Sequence, residues 1–293
     1  MAQTTRPSGM RSILRFLPLP RVAALGIGPT IAAVVLLLII VVTILSPWLA
    51  PHDPMAMSPL QRLKPASADY ILGTDAYGRD LLSRVIIGGR ISLFIGIAAA
   101  AVSVALGVLI GLVAGFFRGA DAVIMRMMDA LMAMPSILIA IALVALNGPS
   151  IGSVVAAITV PEIPRVVRLV RAVILTAREE PYVEAAAALG SSTFKILFQH
   201  LLPNTMAPMI VQGTYIVASA ILTEAILSFL GAGVSTEIPT WGNIMAEGRT
   251  FFRIKPSLVL WPGLMLTLCI LSINLLGDAV RDTLDPRLKM REG

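Results

Sequence analysis

Residues 182–204 read YVEAAAALGSSTFKILFQHLLPN, a polar interruption between two long apolar segments. The first half is alanine-rich and predicts a helix over 182–189, with Gly190 free to take the left-handed conformation that ends it. Ser191, Ser192 or Thr193 can cap a second short helix over 194–200, which Pro203 is expected to stop. Small side chains at Ala185, Ala186 and Ala187 would let another protein's surface approach closely, and Glu184 offers a charge to hydrogen-bond across the contact. The pattern fits a docking element; by itself it also fits an ordinary loop helix.

Outward from this stretch the chain is strongly apolar. Of 293 residues, 57% are hydrophobic and only 14% are charged, a composition outside the soluble globular range. Several apolar runs each approach the ~20 residues a helix needs to cross a bilayer, and short alternating strands of the barrel type are not seen. The reading is an all-α membrane protein with six transmembrane helices. The net charge of +6 comes from basic residues scattered along loops, without the interleaved aromatics of a nucleic-acid surface. The lone cysteine, Cys269, lies in an apolar run and reads as a packing residue.

In chain order, residues 1–21 form a basic leader with Arg6, Arg11, Arg15 and Arg21, and residues 22–45 form an uncleaved first span. Residues 46–90 form a proline-rich external loop containing LGTDAYGRDLLSR at 72–84. Thr74 or Asp75 would cap an interfacial helix starting near Ala76, with Leu81, Leu82, Val85 and Ile86 on its apolar face. Residues 91–278 then hold five spans and the loop at 178–206, and 279–293 form a tail. In the second span Gly107, Gly111 and Gly115 share one face, a packing stripe. The fourth, over 151–174, contains Pro161, Pro164 and Glu162, with Arg165, Arg168 and Arg171 following at every third residue. Glu162 can pair with Arg165. Arg168 and Arg171 are expected to snorkel to the surface. Glu224 in the fifth span lacks an opposite charge in its own helix and must pair elsewhere, be protonated or face water. Glu162, Glu224 and Asn274 are the candidate pathway-lining residues. His52 reads as a turn residue and His200 as structural; no metal-ligating cluster and no catalytic constellation is found.

Four separated strings carry a family resemblance. Glu184, Ala185, Ala186 and Gly190, followed by Leu202 and Pro203, resemble the loop shared by membrane permeases of binding-protein-dependent ABC importers. Residues 72–84 resemble the LGTDxxGRDxxSR signature of the dipeptide, oligopeptide and nickel permeases, carried here by Gly73, Thr74, Asp75, Gly78, Arg79 and Asp80. LSFLGAG at 227–233 and PTWGNIMAEGR at 239–249 are similar to that family's segments beyond helix five, and residues 274–287 to its ending. The family's double proline is replaced here by Thr236, Glu237 and Ile238 ahead of Pro239, which leaves that loop's shape open.

The resemblance implies the type I ABC importer permease fold. It also implies a cytoplasmic coupling helix, with Ala187, Leu189 and Ser191 joining the residues above in docking an ATPase. The partners it implies are a second permease, two ABC ATPases that bind the ATP and Mg, an external substrate-binding protein and the lipid bilayer. Peptides are the commoner substrate of the family and nickel an alternative. The implied location is a bacterial inner membrane.

The charge distribution supports that orientation. Under the six-span reading, 15 Lys and Arg fall at the inner side and 8 at the outer, which places both termini and the 182–204 stretch in the cytoplasm. No GxxxxGK[ST] loop is present, so the chain is not expected to hydrolyse ATP itself. Two further classes stay open at this point. An ion-coupled carrier would use Glu162 and Glu224 at membrane depth, and an intramembrane enzyme would need a nucleophile and base that the sequence does not display.

Overall fold

A glycine with open space on one side and an aspartate at the right cap decides where two of the principal helices start. In the computed structural model, which describes residues 26–284, Gly26 adopts a φ of +82° immediately before helix α1, Ile27–Ile44. Asp80 caps α2, Leu81–Phe116, by accepting from the Ser83 backbone N–H at 2.9 Å. The remaining helices are α3 (Arg118–Met132), α4 (Ser136–Asn147), α5 (Ile151–Ala177), α6 (Pro181–Ala188), α7 (Thr193–Phe229), α8 (Trp241–Gly248) and α9 (Ser257–Leu284). No strand occurs among the described residues. The basic leader, the opening of the first span and the tail beyond 284, Asp285 included, lie outside them.

By length and composition α1, α2, α7 and α9 can each cross a bilayer, and α3 with α4 makes a fifth if this pair, bent by 88° at Pro135, is one broken span. The sixth expected span is α5. It is 27 residues long but carries Glu162, Arg165, Arg168 and Arg171, so it reaches membrane length without matching the apolarity of the others. Burial compensates: Val154, Ala157, Val166, Val167, Val170 and Ile174 of α5 are all inaccessible.

The expected interfacial helix near Ala76 does not exist as a separate element. Residues 74–80 form a closed turn joined by a bridge between Thr74 and Asp80, and the amphipathic residues Leu81 to Ile86 are instead the first turns of α2. Nothing in 81–116 breaks the helix, so it runs unbroken through the point where the second span was expected to begin. A similar difference occurs at Pro203, which was expected to end a short helix. The chain passes through it, because residues Ile196–Leu201 widen into a π-helical turn just upstream. That turn loosens the backbone where the proline ring would meet the carbonyl four residues before it, so helix α7 continues to Phe229.

The helices close on each other through small residues. Gly107, Gly111 and Gly115 of α2 lie against Val166, Val170 and Ile174 of α5, so the two helices run side by side in the same direction. At one end of the bundle, Leu112, Ile174, Val183, Ile196 and Leu201 form one buried cluster. At the other, Ile39, Leu81, Val85, Trp241, Leu258 and Cys269 form another, and Ile95, Ala99, Ala140, Ala157 and Ala220 fill the middle. The loop at 178–192 therefore sits at the opposite end of the bundle from residues 46–80 and 230–256. Large apolar side chains such as Leu37 and Leu38 point outward from α1, as a lipid-facing helix requires.

Candidate functional site

Helix α6 begins with Pro181 at its first turn and ends on a left-handed Gly190, φ +78°. The Ser191 N–H donates to the Ala186 carbonyl and the Gly190 N–H to that of Ala187, each at 3.0 Å, which is the Schellman closure. Val183 faces inward and joins the cluster of α2, α5 and α7. Ala186, one turn further on, is also buried, so it does not lie on the open small-residue face expected of it. Glu184, Ala185, Ala187 and Leu189 are exposed, and among the described residues the Glu184 carboxylate has no ion pair or side-chain hydrogen bond.

The neighbouring start of α7 adds what the sequence reading passed over. Phe194 is 70% exposed and its ring lies 4.4 Å from that of Phe198, while Leu189 is 87% exposed. An apolar ridge with one free carboxylate thus stands out from this end of the bundle. Leu202 is partly covered and Pro203 is exposed beside it. Asn204 donates to the Tyr182 hydroxyl at 2.9 Å and to the His200 carbonyl at 2.7 Å, tying the two helices of the ridge together. The spacing of Phe194 and Phe198, one helical turn apart, is the signal that could have revealed the ridge.

Mid-bundle, a cleft of about 320 Å³ opens between α5, α7 and α9. Glu162, Arg165, Gln212, Tyr215, Ser219 and Asn274 contribute its polar groups. Two of the three candidate pathway residues, Glu162 and Asn274, thereby share one cavity. Arg165 Nη1 donates to Glu162 Oε1 at 3.0 Å, the expected pair, with the carboxylate side chain 11% and the guanidinium side chain 55% exposed. Tyr215 also donates to Asp278 of α9.

Glu224 is not on that cleft. It is fully buried and accepts hydrogen bonds from Ser228 and Thr240 at 2.8 Å each, and from Ser92 at 3.5 Å. Among the described residues no cation is its partner. Ser92 in turn accepts from the Trp241 N–H and Thr240 from the Asn243 N–H, so this carboxylate fastens α2, α7 and α8 together. Arg168 is exposed, as expected, and each arginine also finds a partner that its own helix does not supply. Arg168 pairs with Asp129 at 2.6 Å and the partly covered Arg171 with Asp121 at 2.5 Å, because α3 returns along α5 and brings both aspartates alongside.

The loop motif at 73–80 is a buried latch. Gly73 and Gly78 have φ of +78° and +76°, and a Cβ on Gly73 would lie 2.5 Å from the Lys64 carbonyl oxygen, so neither glycine has a substitute. Asp75 accepts from the backbone N–H groups of Tyr77 and Arg79 and, at 2.6 Å, from Arg79 Nε. Arg79 Nη2 reaches Glu247 of α8 at 2.5 Å, and Arg84 lies 3.3 Å from the same carboxylate. Thr74 is buried and donates to the Gln61 carbonyl. Lys255 donates to the carbonyls of Thr74 and Lys64. Burial pushes the Glu247 carboxyl up, against the pull of Arg84 and Arg79, and pushes the Lys255 ammonium down. Arg84 and Glu247 were visible within motifs of the sequence, but their pairing was not. Where the double proline is missing, Asn243 Nδ2 gathers the loop by donating to the carbonyls of Val234, Ser235 and Ile238.

Comparison with known proteins gives the family and the fold. Residues 90–290 match the family described as binding-protein-dependent transport system inner membrane component, and residues 30–66 match the N-terminal TM domain of oligopeptide transport permease C. The chain is 44% identical to a di/tripeptide transport system permease protein of Pseudomonas aeruginosa over 261 residues, covering 87% of this chain and 86% of that one. It is 38% identical over 288 residues to a dipeptide transport system permease protein of Alkalihalophilus pseudofirmus, covering 98% and 93%. In three dimensions it is similar to a chain of the MetNI methionine ABC transporter in inward facing conformation, with a TM-score of 0.52 at 18% identity, covering 70% of this chain and 98% of that one. That likeness is one of fold.

Proposed function

Because the chain belongs to the family of binding-protein-dependent transport system inner membrane components, we propose that it forms half of the translocation pathway of an ATP-driven importer for short peptides. Its relatives named for dipeptide and di/tripeptide transport support peptide as the cargo. The observation that carries the coupling role is the ridge at 182–203, exposed on its outer face and continuous on its inner face with the buried cluster of α2, α5 and α7. A push on Leu189, Phe194 or Glu184 has no soft joint through which to dissipate, since Val183, Ile196 and Leu201 pack directly on the spans.

The partners follow from that role. Two cytoplasmic ATPases bind ATP and Mg and seat on the ridge, a second permease supplies the other half of the pathway, and an external binding protein delivers cargo to the end that carries the latch. Closure of the ATPases moves the ridge as a lever and reorients α5, α7 and α9 around the cleft, giving alternating access. Both termini lie in the cytoplasm, in keeping with the bias of Lys and Arg. An ion-coupled carrier is the poorer reading, since Glu224 is buried among hydroxyl groups and does not line the cleft that holds Glu162.

The test is uptake of a labelled dipeptide by cells carrying the whole system. Glu184→Lys and Leu189→Glu are expected to reduce uptake at least ~10-fold, and to weaken co-purification of the ATPases, while the permease remains inserted at normal levels. Normal uptake by both variants would remove the ridge from the mechanism.

A further inference from the structure

The cleft between α5, α7 and α9 holds a charge pair with an unusual placement. Glu162 and Arg165 are three residues apart on α5, pair with each other at 3.0 Å, and line the same cavity as the neutral groups of Gln212, Ser219 and Asn274. Several ion pairs elsewhere tie separate segments together, as Arg171 of α5 with Asp121 of α3 and Arg79 of the external loop with Glu247 of α8 do. This pair joins nothing. It spans a single turn of one helix, and the Arg165 side chain, 55% exposed, lines the cleft.

A charge placed at membrane depth is costly unless it is matched. A short peptide at neutral pH carries an α-ammonium and an α-carboxylate, so a pathway for it has to match two opposite charges of a net-neutral solute. The cleft offers the complementary two: a planar guanidinium suited to forking onto a carboxylate, and a carboxylate that accepts from an ammonium. With no cargo the two satisfy each other, and with cargo each exchanges its partner for one of like charge, so neither state leaves an orphan. The volume, about 320 Å³, is at the small end of the ~300–1,000 Å³ usual for small-ligand sites, which suits a di- or tripeptide.

We propose that Glu162 and Arg165 are the terminus-recognition pair of the cleft, with Arg165 taking the α-carboxylate and Glu162 the α-ammonium of a zwitterionic short peptide. The neutral side chains of Gln212, Ser219 and Asn274 serve the peptide backbone between them. This rests on the peptide-permease reading above and assigns the chemistry by which that cargo is held.

The experiment compares uptake of a free dipeptide, its C-terminal amide and its N-acetyl derivative by the complete transporter, binding protein included, in liposomes. For each permease the ratio of free to blocked uptake is taken relative to the same ratio for the wild type, so that the binding protein's own preference cancels. Arg165→Gln is expected to lower the free-to-amide ratio about tenfold and leave the free-to-acetyl ratio alone; Glu162→Gln is expected to do the reverse. Arg165→Lys keeps the charge and should retain most of the preference for a free carboxylate. A pair that served only to stabilise α5 would lower uptake of all three peptides equally, and that outcome overturns the assignment. A wild-type complex that carries no peptide at all overturns the peptide reading itself.

Discussion

A methyl group added at Gly111 would lie 2.7 Å from Cβ of Val170 and 3.0 Å from the carbonyl oxygen of Val167, closer than packed atoms can come. The seam between α2 and α5 therefore tolerates no side chain at that point. Gly111→Val is expected to cost about 1–3 kcal/mol, read as a lowered melting temperature of the purified protein. Gly213 supplies the control, because its added Cβ would meet only Val104 Cγ2 at 4.0 Å. Gly213→Ala should leave the melting temperature within a degree or so, and an equal loss in both variants would show that close approach at α2 and α5 is not what holds them together. The stripe of glycines was legible as packing from its spacing of four. What it packs against was not, since Val166, Val170 and Ile174 are about sixty residues further on and their own pattern carries proline and charge.

Among the elements, the latch and the ridge illustrate how a motif's wording and its role separate. LGTDAYGRD reads as a capped helix start. The cap is Asp80 rather than the expected Thr74 or Asp75; Asp75 instead accepts from Arg79, and Arg79 and Arg84 reach Glu247 across more than 160 residues. A buried network of this kind adds little over apolar packing, yet breaking it by removing one partner strands the other charges. Arg79→Ala is expected to destabilise the loop against α8 by about 3–5 kcal/mol, seen as faster proteolysis within residues 46–80. Protection equal to the wild type would mean that the loop is held by other contacts. At the ridge the helix propensities and the Gly190 stop were readable locally. The passage of α7 through Pro203 was not, because the π-helical turn that accommodates the ring is selected by packing of Ile196, Leu197 and Leu201 on the bundle.

For the whole molecule, the ridge and the latch occupy opposite ends, and the function needs them on opposite sides of a membrane. In a background with the buried Cys269 changed to Ser, Tyr77→Cys and Leu189→Cys each place a thiol on an exposed site. An impermeant maleimide is expected to label the first in sealed cells and the second only after permeabilisation; the reverse order would invert the orientation and take the ridge out of reach of any cytoplasmic ATPase. By itself the sequence determined the all-α membrane class, the location of most of the long apolar helices, the helix stop at Gly190 and the family, because hydropathy, capping and local motifs are properties of neighbouring residues. Only the tertiary structure decided which polar groups meet. It put Glu162 and Asn274 in one cleft, enclosed Glu224 among the hydroxyls of Ser92, Ser228 and Thr240, and drew Arg168 and Arg171 onto α3. A charge inside a bilayer takes whichever partner the fold brings within about 3 Å, and the chain order does not record that distance.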